Sequence, residues 1–380
     1  MKKTSSKLKV ITLFGTRPEI IRLSRIISKF DLYFKNILVN SNQNFNYELN
    51  KIFFKDLNIR KPNYIFKKSN NNPIDNISQM LKDFNEICKK EKPDACILLG
   101  DTNTSLLSYV CKRAKIPVFH IEAGNRSFDQ RVPEEINRKI VDHLSDVNLT
   151  YSRISKENLI NENFSADRVI VIGSPLKEVY SFYKKKIKNS KILSKLKLKR
   201  DNFFLVSFHR EENLDNEVNF KNFISLMFYL QSEFKIPIIV STHFRLKNKL
   251  EKFIKSNRLK KIKFLAPFSY TDYCKLQLSS KLIFSDSGSL TEETSIMKLK
   301  SINIRDSQER HEGFEEGIVP LTGLNISLIK NAVNYVLSNK VKVKPIKDYE
   351  DGANASSKLV TIIISFIDQI NKKNWFKNNL

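Results

Sequence analysis

Short apolar runs alternate with helix-length amphipathic stretches along most of the chain. Residues 9–14, 36–39, 95–99, 118–121, 147–150 and 169–172 form one series of runs, and residues 203–208, 237–241, 262–265, 282–285 and 301–304 a second. Several are continuously apolar rather than alternating, as strands covered on both faces are. Interleaved with helices, they predict parallel sheets in an α/β architecture. The series breaks near residues 175–201, where Gly173-Ser174-Pro175 gives way to Lys-rich sequence. The expected organisation is an N-terminal domain over residues 1–175 and a C-terminal domain over 176–354. An apolar-periodic helix within residues 355–380 is expected to pack back on the first domain.

A chain of 380 residues, 41% hydrophobic and 28% charged, is globular and long enough for two cores. No run of about 18 apolar residues occurs, so no membrane span is expected. The basic N-terminus leads into only a short apolar run, residues 10–14, and reads as the first strand of a cytoplasmic protein rather than a signal peptide. The net charge of +26 raises nucleic acid as a partner. However, the lysines are scattered, apart from a dense run over residues 184–200, and no RGG or RNP pattern appears. A solvated basic surface and no nucleic-acid partner are therefore expected. The four cysteines form no CxxC pair and the five histidines show no ligand spacing, so no metal is expected. The dinucleotide pattern GxGxxG is missing, and no cofactor is expected.

Polar chemistry gathers where the apolar runs end. FGTRPE, residues 14–19, puts Arg17 at the start of a helix whose free N–H groups suit a phosphate, or else it is a surface arginine at a helix N-terminus. LLGDT, residues 98–102, offers Asp101 either as an N-cap or, with Thr102 capping instead, as a functional carboxylate. HIEAGNRSFDQRVPEEINRKIVDHLSD, residues 120–146, sets Glu122 before a glycine turn and Glu134 on the first turn of a helix opened by Pro133. Two carboxylates on separate backbone supports, with arginines between them, suit proton transfer beside an anionic substrate. SFHREEN, residues 207–213, presents His209 and Arg210, though a lone histidine also serves structure. In FSDSGSLTEET, residues 284–294, Ser287, Gly288 and Ser289 can hold a pyrophosphate at a helix N-terminus, and Glu292 or Glu293 a ribose. Ordinary capping is the other reading of that segment. RDSQERHEGFEEG, residues 305–317, is a further anion loop or a solvated one.

In this order and at these separations, GTRPE, GDT, HIEAGNRSFD, PEEINR, HREEN, DSGSLTEE and ERHEG resemble the non-hydrolysing UDP-N-acetylglucosamine 2-epimerase family over nearly the whole chain. The wording GNRSFDQRVPEEINRKIVDH and SFHREENLD is similar to the branch acting on UDP-2-acetamido-2,6-dideoxy-L-talose, which makes UDP-N-acetyl-L-fucosamine for surface polysaccharides. The resemblance implies two Rossmann-like domains in a glycosyltransferase-B arrangement, with the active site in the interdomain cleft of a homodimeric enzyme. It implies anti elimination of UDP and re-addition at C2. Asp101, Glu122, Glu134 and His209 take the catalytic positions. Arg17, Phe268, Ser287, Gly288, Ser289, Glu293 and Arg310 contact UDP, and Arg22, Arg126 and Arg138 position the substrate. Arg22, Ser289, His311 and Asn125 depart from the common pattern, where lysine, glycine, proline and leucine stand. The alternatives are the D-gluco substrate of the wider family, and a hydrolysing epimerase or glycosyltransferase on the same scaffold.

Overall fold

A computed structural model describes residues 7–43, 47–67, 72–208, 216–242, 261–338 and 343–377. The first sheet contains β1 (Lys9–Phe14), β2 (Lys35–Asn40), β3 (Tyr64–Ile65), β4 (Ala95–Leu99), β5 (Val118–Ile121), β6 (Val147–Thr150) and β7 (Val169–Val171). Its order is β3-β2-β1-β4-β5-β6-β7, and every pairing is parallel. The second sheet contains β8 (Phe204–Phe208), β9 (Ile238–Thr242), β10 (Ile262–Leu265), β11 (Leu282–Ser285) and β12 (Ser301–Asn303). It is also parallel, in the order β10-β9-β8-β11-β12. In each sheet the chain winds outward from a central strand, which is the doubly wound pattern.

The chain divides into two compact units, Met1–Ser181 with Lys347–Leu380, and Phe182–Ile346. The first boundary lies inside the helix Pro175–Lys188, a few residues past the Gly173-Ser174-Pro175 break. The second lies just before the short helix Lys347–Glu350, because that helix is already fastened to the first unit. Asp348 accepts from the Arg153 N–H at 2.7 Å, and Glu178 accepts from the N–H and hydroxyl of Ser356 at 2.8 and 2.6 Å. The C-terminal helix Ala355–Trp375 then packs against the helix Arg17–Tyr33.

The apolar runs fill the cores. In the first unit Ile11, Leu13, Val39, Cys96, Leu98 and Val118 meet Phe84 and Ile87 from the helix Pro73–Glu91. In the second, Val206, Phe208, Val240 and Phe284 meet Phe223, Met227 and Leu230 from the helix Glu217–Phe234. Phe208 and Phe223 stack with ring centres 4.2 Å apart. Each such side chain contributes about 1.5–3 kcal/mol on burial. β3 is the strand that periodicity misses: it has two residues, lies at the sheet edge and has one exposed side chain, so it carries no apolar run. Among the described residues no helix is long and apolar enough to cross a membrane.

Candidate active site

In a parallel sheet the loops after the strands leave from one edge, the edge where open α/β sheets bind ligands. β1, β4 and β5 are consecutive neighbours, so the GTRPE, GDT and HIEAGN segments leave that edge side by side. Arg17 opens its helix, with Pro18 in the first turn where no N–H is needed. Its guanidinium is half-buried, 6.0 Å from the centre of the Phe53 ring.

Asp101 is held by the PEEINR segment. Arg138 donates to Asp101 Oδ2 from Nε at 3.1 Å and from Nη2 at 2.6 Å. Asn137 Nδ2 donates to the Asp101 carbonyl at 2.9 Å and to Asn103 Oδ1 at 3.1 Å. Thr102 makes no side-chain cap; its hydroxyl donates to Glu19 at 2.7 Å. Glu19 is buried and also accepts from the N–H groups of Gly15 and Thr16. Burial outweighs these donors and pushes its pKa up to about 7, and the charge of Asp101 adds to the rise.

Glu122 follows β5 with φ at +73°, a conformation costly for a side chain with a Cβ and maintained only where the surroundings impose it. Its N–H donates to the Leu149 carbonyl at 3.0 Å. Arg22 Nε lies 3.8 Å from one carboxylate oxygen, and Asn125 Nδ2 donates to the other at 3.4 Å. Ser155 Oγ donates to Asn125 Oδ1 at 2.9 Å, which turns the amide N–H toward Glu122. Gly124 has φ at +77°, and a Cβ there would lie 2.1 Å from the Ser155 carbonyl oxygen, so only glycine fits the turn.

Beneath these turns lies a buried polar network. His120 faces Asp142 through Nδ1 at 2.8 Å and the Gly100 carbonyl through Nε2 at 2.9 Å. Arg126 Nη1 donates to Asp142 at 2.8 Å and to the Asn125 carbonyl at 2.8 Å. Its Nε and Nη2 donate to Glu162 at 2.7 and 2.6 Å. Burial opposes ionisation of Asp142, but hydrogen bonds and charge from His120 and Arg126 outweigh it and hold the carboxyl below its usual range. The resemblance gives Arg126 a substrate-positioning task. The structure places it inside the fold with 0% exposure, where its guanidinium supports the Gly124–Asn125 turn through the Asn125 carbonyl. Arg22 and Arg138, given the same task, each hold a candidate carboxylate.

The Glu134-Glu135 pair divides its labour. Glu135 is buried and accepts from the Ser127 N–H and hydroxyl, both at 2.9 Å, from the Phe128 N–H at 3.1 Å and from Arg138. Burial opposes its ionisation, but these partners lower its pKa. Glu134 is half-buried at the second position of the helix Pro133–Leu144.

In the second unit β8, β11 and β12 are neighbours, and their following loops carry the remaining motifs. His209 and Arg210 lie outside the described residues. Phe268 is half-buried in the loop before the helix Tyr270–Ser279. Ser287, Gly288 and Ser289 form the turn ahead of the helix Leu290–Met297, with the two hydroxyls 2.9 Å apart. Ser289 Oγ and Gln277 Nε2 donate to Glu293 at 3.0 and 2.6 Å, orienting that carboxylate. Arg310 is buried rather than projecting. Its Nε donates to the Gly288 carbonyl at 3.0 Å, and its Nη2 lies 2.8 Å from Glu292. A Cβ on Gly288 would lie 2.3 Å from Glu309 Oε1, so this turn is closely backed. Among the described residues no group of three His, Cys, Asp or Glu side chains could hold a metal.

Glu19, Asn137 and Glu135 carry much of the support; the sequence places Asn137 and Glu135 in the polar 120–146 segment without a role of their own, and Glu19 in GTRPE without one. The position of Glu19, three residues after Thr16, reads as a helix cap. Its reach to Thr102 follows only once β1 and β4 are adjacent.

The two parallel-sheet α/β units match the glycosyltransferase-B-like fold of solved epimerases. The chain belongs to the UDP-N-acetylglucosamine 2-epimerase family, whose model matches residues 29–364. It is therefore an isomerase of the UDP-sugar 2-epimerase class. It is similar to the UDP-N-acetylglucosamine 2-epimerase of Rickettsia bellii in a solved structure, with 43% identity, a TM-score of 0.91, and coverage of 98% of this chain and 100% of that one. It is 35% identical to the UDP-N-acetylglucosamine 2-epimerase of Methanocaldococcus jannaschii over 88% of this chain and 93% of that protein. A Methanocaldococcus jannaschii UDP-GlcNAc 2-epimerase structure in complex with UDP-GlcNAc and UDP superposes with a TM-score of 0.86 at 33% identity, covering 94% of this chain and all of that one.

Proposed function

We propose that this enzyme interconverts UDP-N-acetylglucosamine and its C2 epimer, UDP-N-acetylmannosamine. The observation that carries this reading is the pair Asp101 and Glu122, presented from adjacent strand ends and held by Arg138 and Arg22 respectively. The C2 proton is weakly acidic and needs a positioned base. Proton removal at C2 and breakage of the C1–O bond give a glycal and UDP. Return of UDP to C1 and of a proton to the opposite face of C2 gives the epimer. Asp101, Glu122 and Glu134 supply the acid and base. Arg17, His209 and the Ser287–Ser289 turn take the diphosphate charge that grows as the bond breaks, with Phe268 and Glu293 on the nucleoside. Arg310 supports that turn from behind. The named activities of the relatives support this substrate, and the family resemblance supports a homodimer working in the cytoplasm.

A second reading keeps the chemistry and changes the sugar to UDP-2-acetamido-2,6-dideoxy-L-talose. Asn125 favours it: its amide donates to Glu122 where the common pattern has leucine. One experiment separates the two. Proton NMR of the enzyme with each UDP-sugar gives kcat/KM side by side. Faster turnover of UDP-N-acetylglucosamine supports the first reading, faster turnover of the 6-deoxy-L-sugar the second, and free sugar as product would contradict both.

A further inference from the structure

Glu19 sits on the first turn of the helix Arg17–Tyr33, where a carboxylate ordinarily accepts N–H groups of its own helix terminus. Gly15 and Thr16 supply such donors. The third donor is remote: Thr102 Oγ1, 83 residues along the chain, at 2.7 Å. One buried side chain thus ties the turn presenting Arg17 to the turn presenting Asp101. A helix cap alone requires no such tie.

We propose that Glu19 is a positioning residue of the epimerase, joining the Arg17 and Asp101 turns and setting the charge beside Asp101 by taking up or releasing its own proton. This rests on the 2-epimerase reading. The link to Thr102 persists in either state: the ionised carboxylate accepts from the hydroxyl, and the neutral acid donates to it. Burial pushes the pKa of Glu19 up to about 7, so both states are populated near neutrality. The charged group that faces it is Asp101, itself bound by Arg138; on its own helix Arg17 and Arg22 stand two residues before and three residues after it, with Arg22 directed to Glu122. Ser41, Gln43 and Thr104, which back the Gly15 turn, carry no charge. When Glu19 ionises, Asp101 faces a like charge and holds its proton more tightly. Glu19 touches no reacting atom; it acts through Asp101 and the turn geometry.

The test compares wild type, Glu19→Gln and Glu19→Ala. Glutamine can preserve the tie, with its carbonyl accepting from Gly15 and Thr16 and its amide donating to Thr102, while removing the proton. Log kcat against pH is expected to inflect near 7 in the wild type, and that inflection to vanish in Glu19→Gln. Glu19→Ala loses the tie, and its kcat/KM is expected to fall about tenfold or more across the pH range. An active wild type whose inflection persists unchanged in Glu19→Gln, or a Glu19→Ala enzyme with wild-type kcat/KM, would overturn the role of Glu19 alone. Absence of wild-type turnover on every UDP-HexNAc would overturn the epimerase reading and this role with it.

Discussion

Arg138 grips Asp101 at two points: Nε and Nη2 both donate to Asp101 Oδ2, at 3.1 and 2.6 Å, while Nη1 of the same guanidinium engages Glu135. A single planar group therefore fixes both a proton-transfer candidate and the loop after Ser127. A lysine keeps the charge but cannot reproduce the fork. Arg138→Lys is expected to keep the fold by circular dichroism and to lower kcat about 10- to 100-fold, as expected when a reacting group is displaced. Wild-type kcat in that variant would show that the two-point grip is unnecessary.

Proton transfer and phosphate binding are expected to separate by mutation. Glu122→Gln removes a candidate base that Arg22 and Asn125 contact, and is expected to cost about 10²–10⁴ in kcat. Its affinity for UDP is expected to stay near that of the wild type. Arg17→Ala removes a cation at the helix N-terminus, and its UDP affinity is expected to weaken by about 1.5–3 kcal/mol. Isothermal titration with UDP, alongside turnover, reads both; equal loss of UDP binding in the two variants would contradict the division.

Asp142 anchors the buried network through His120, Arg126 and the Gly124 N–H. Asp142→Asn leaves His120 buried without its anion and Arg126 with Glu162 as its remaining carboxylate, and a cost of about 3–5 kcal/mol in urea unfolding is expected. The pH dependence has a definite sign. The Asp142 carboxyl is depressed in the folded protein, so its contribution is present above the unfolded carboxylate value and is lost as pH falls through the folded pKa. The asparagine variant is expected to show a shallower acid-side loss of stability than the wild type.

Glu19 carries the opposite sign. Its folded pKa, about 7, lies above the ordinary 4.5, so the folded protein holds the extra proton between those values. That contribution is complete below about pH 4.5 and is lost as pH rises through about 7, amounting to about 3 kcal/mol. Urea midpoints from pH 5 to 8.5 are expected to fall in the wild type and to flatten in Glu19→Gln. Parallel curves would contradict the pKa assignment.

The eleven runs read from the sequence each correspond to a strand within a residue or so, and several are continuously apolar because both of their faces are covered. What escaped was what depends on neighbours. β3 has too few residues to show a pattern. Arg126 and Arg310 have the composition of ligand-binding arginines, yet both are buried. The difference lies in Glu162, Asp142 and Glu292, partners supplied from other segments. Glu134 and Glu135 are indistinguishable as letters. Helix phase turns Glu135 to the Ser127 loop, and no motif encodes that phase without the loop in place.

Exchange at C2 tests the central claim most directly. UDP-N-acetylglucosamine is incubated with the enzyme in D₂O and followed by proton NMR. Loss of the C2 proton signal through deuterium uptake from solvent is expected, in step with appearance of the manno epimer, since the departing proton passes to a protein carboxyl that exchanges with water. Epimer formed with the original hydrogen retained at C2 would contradict it.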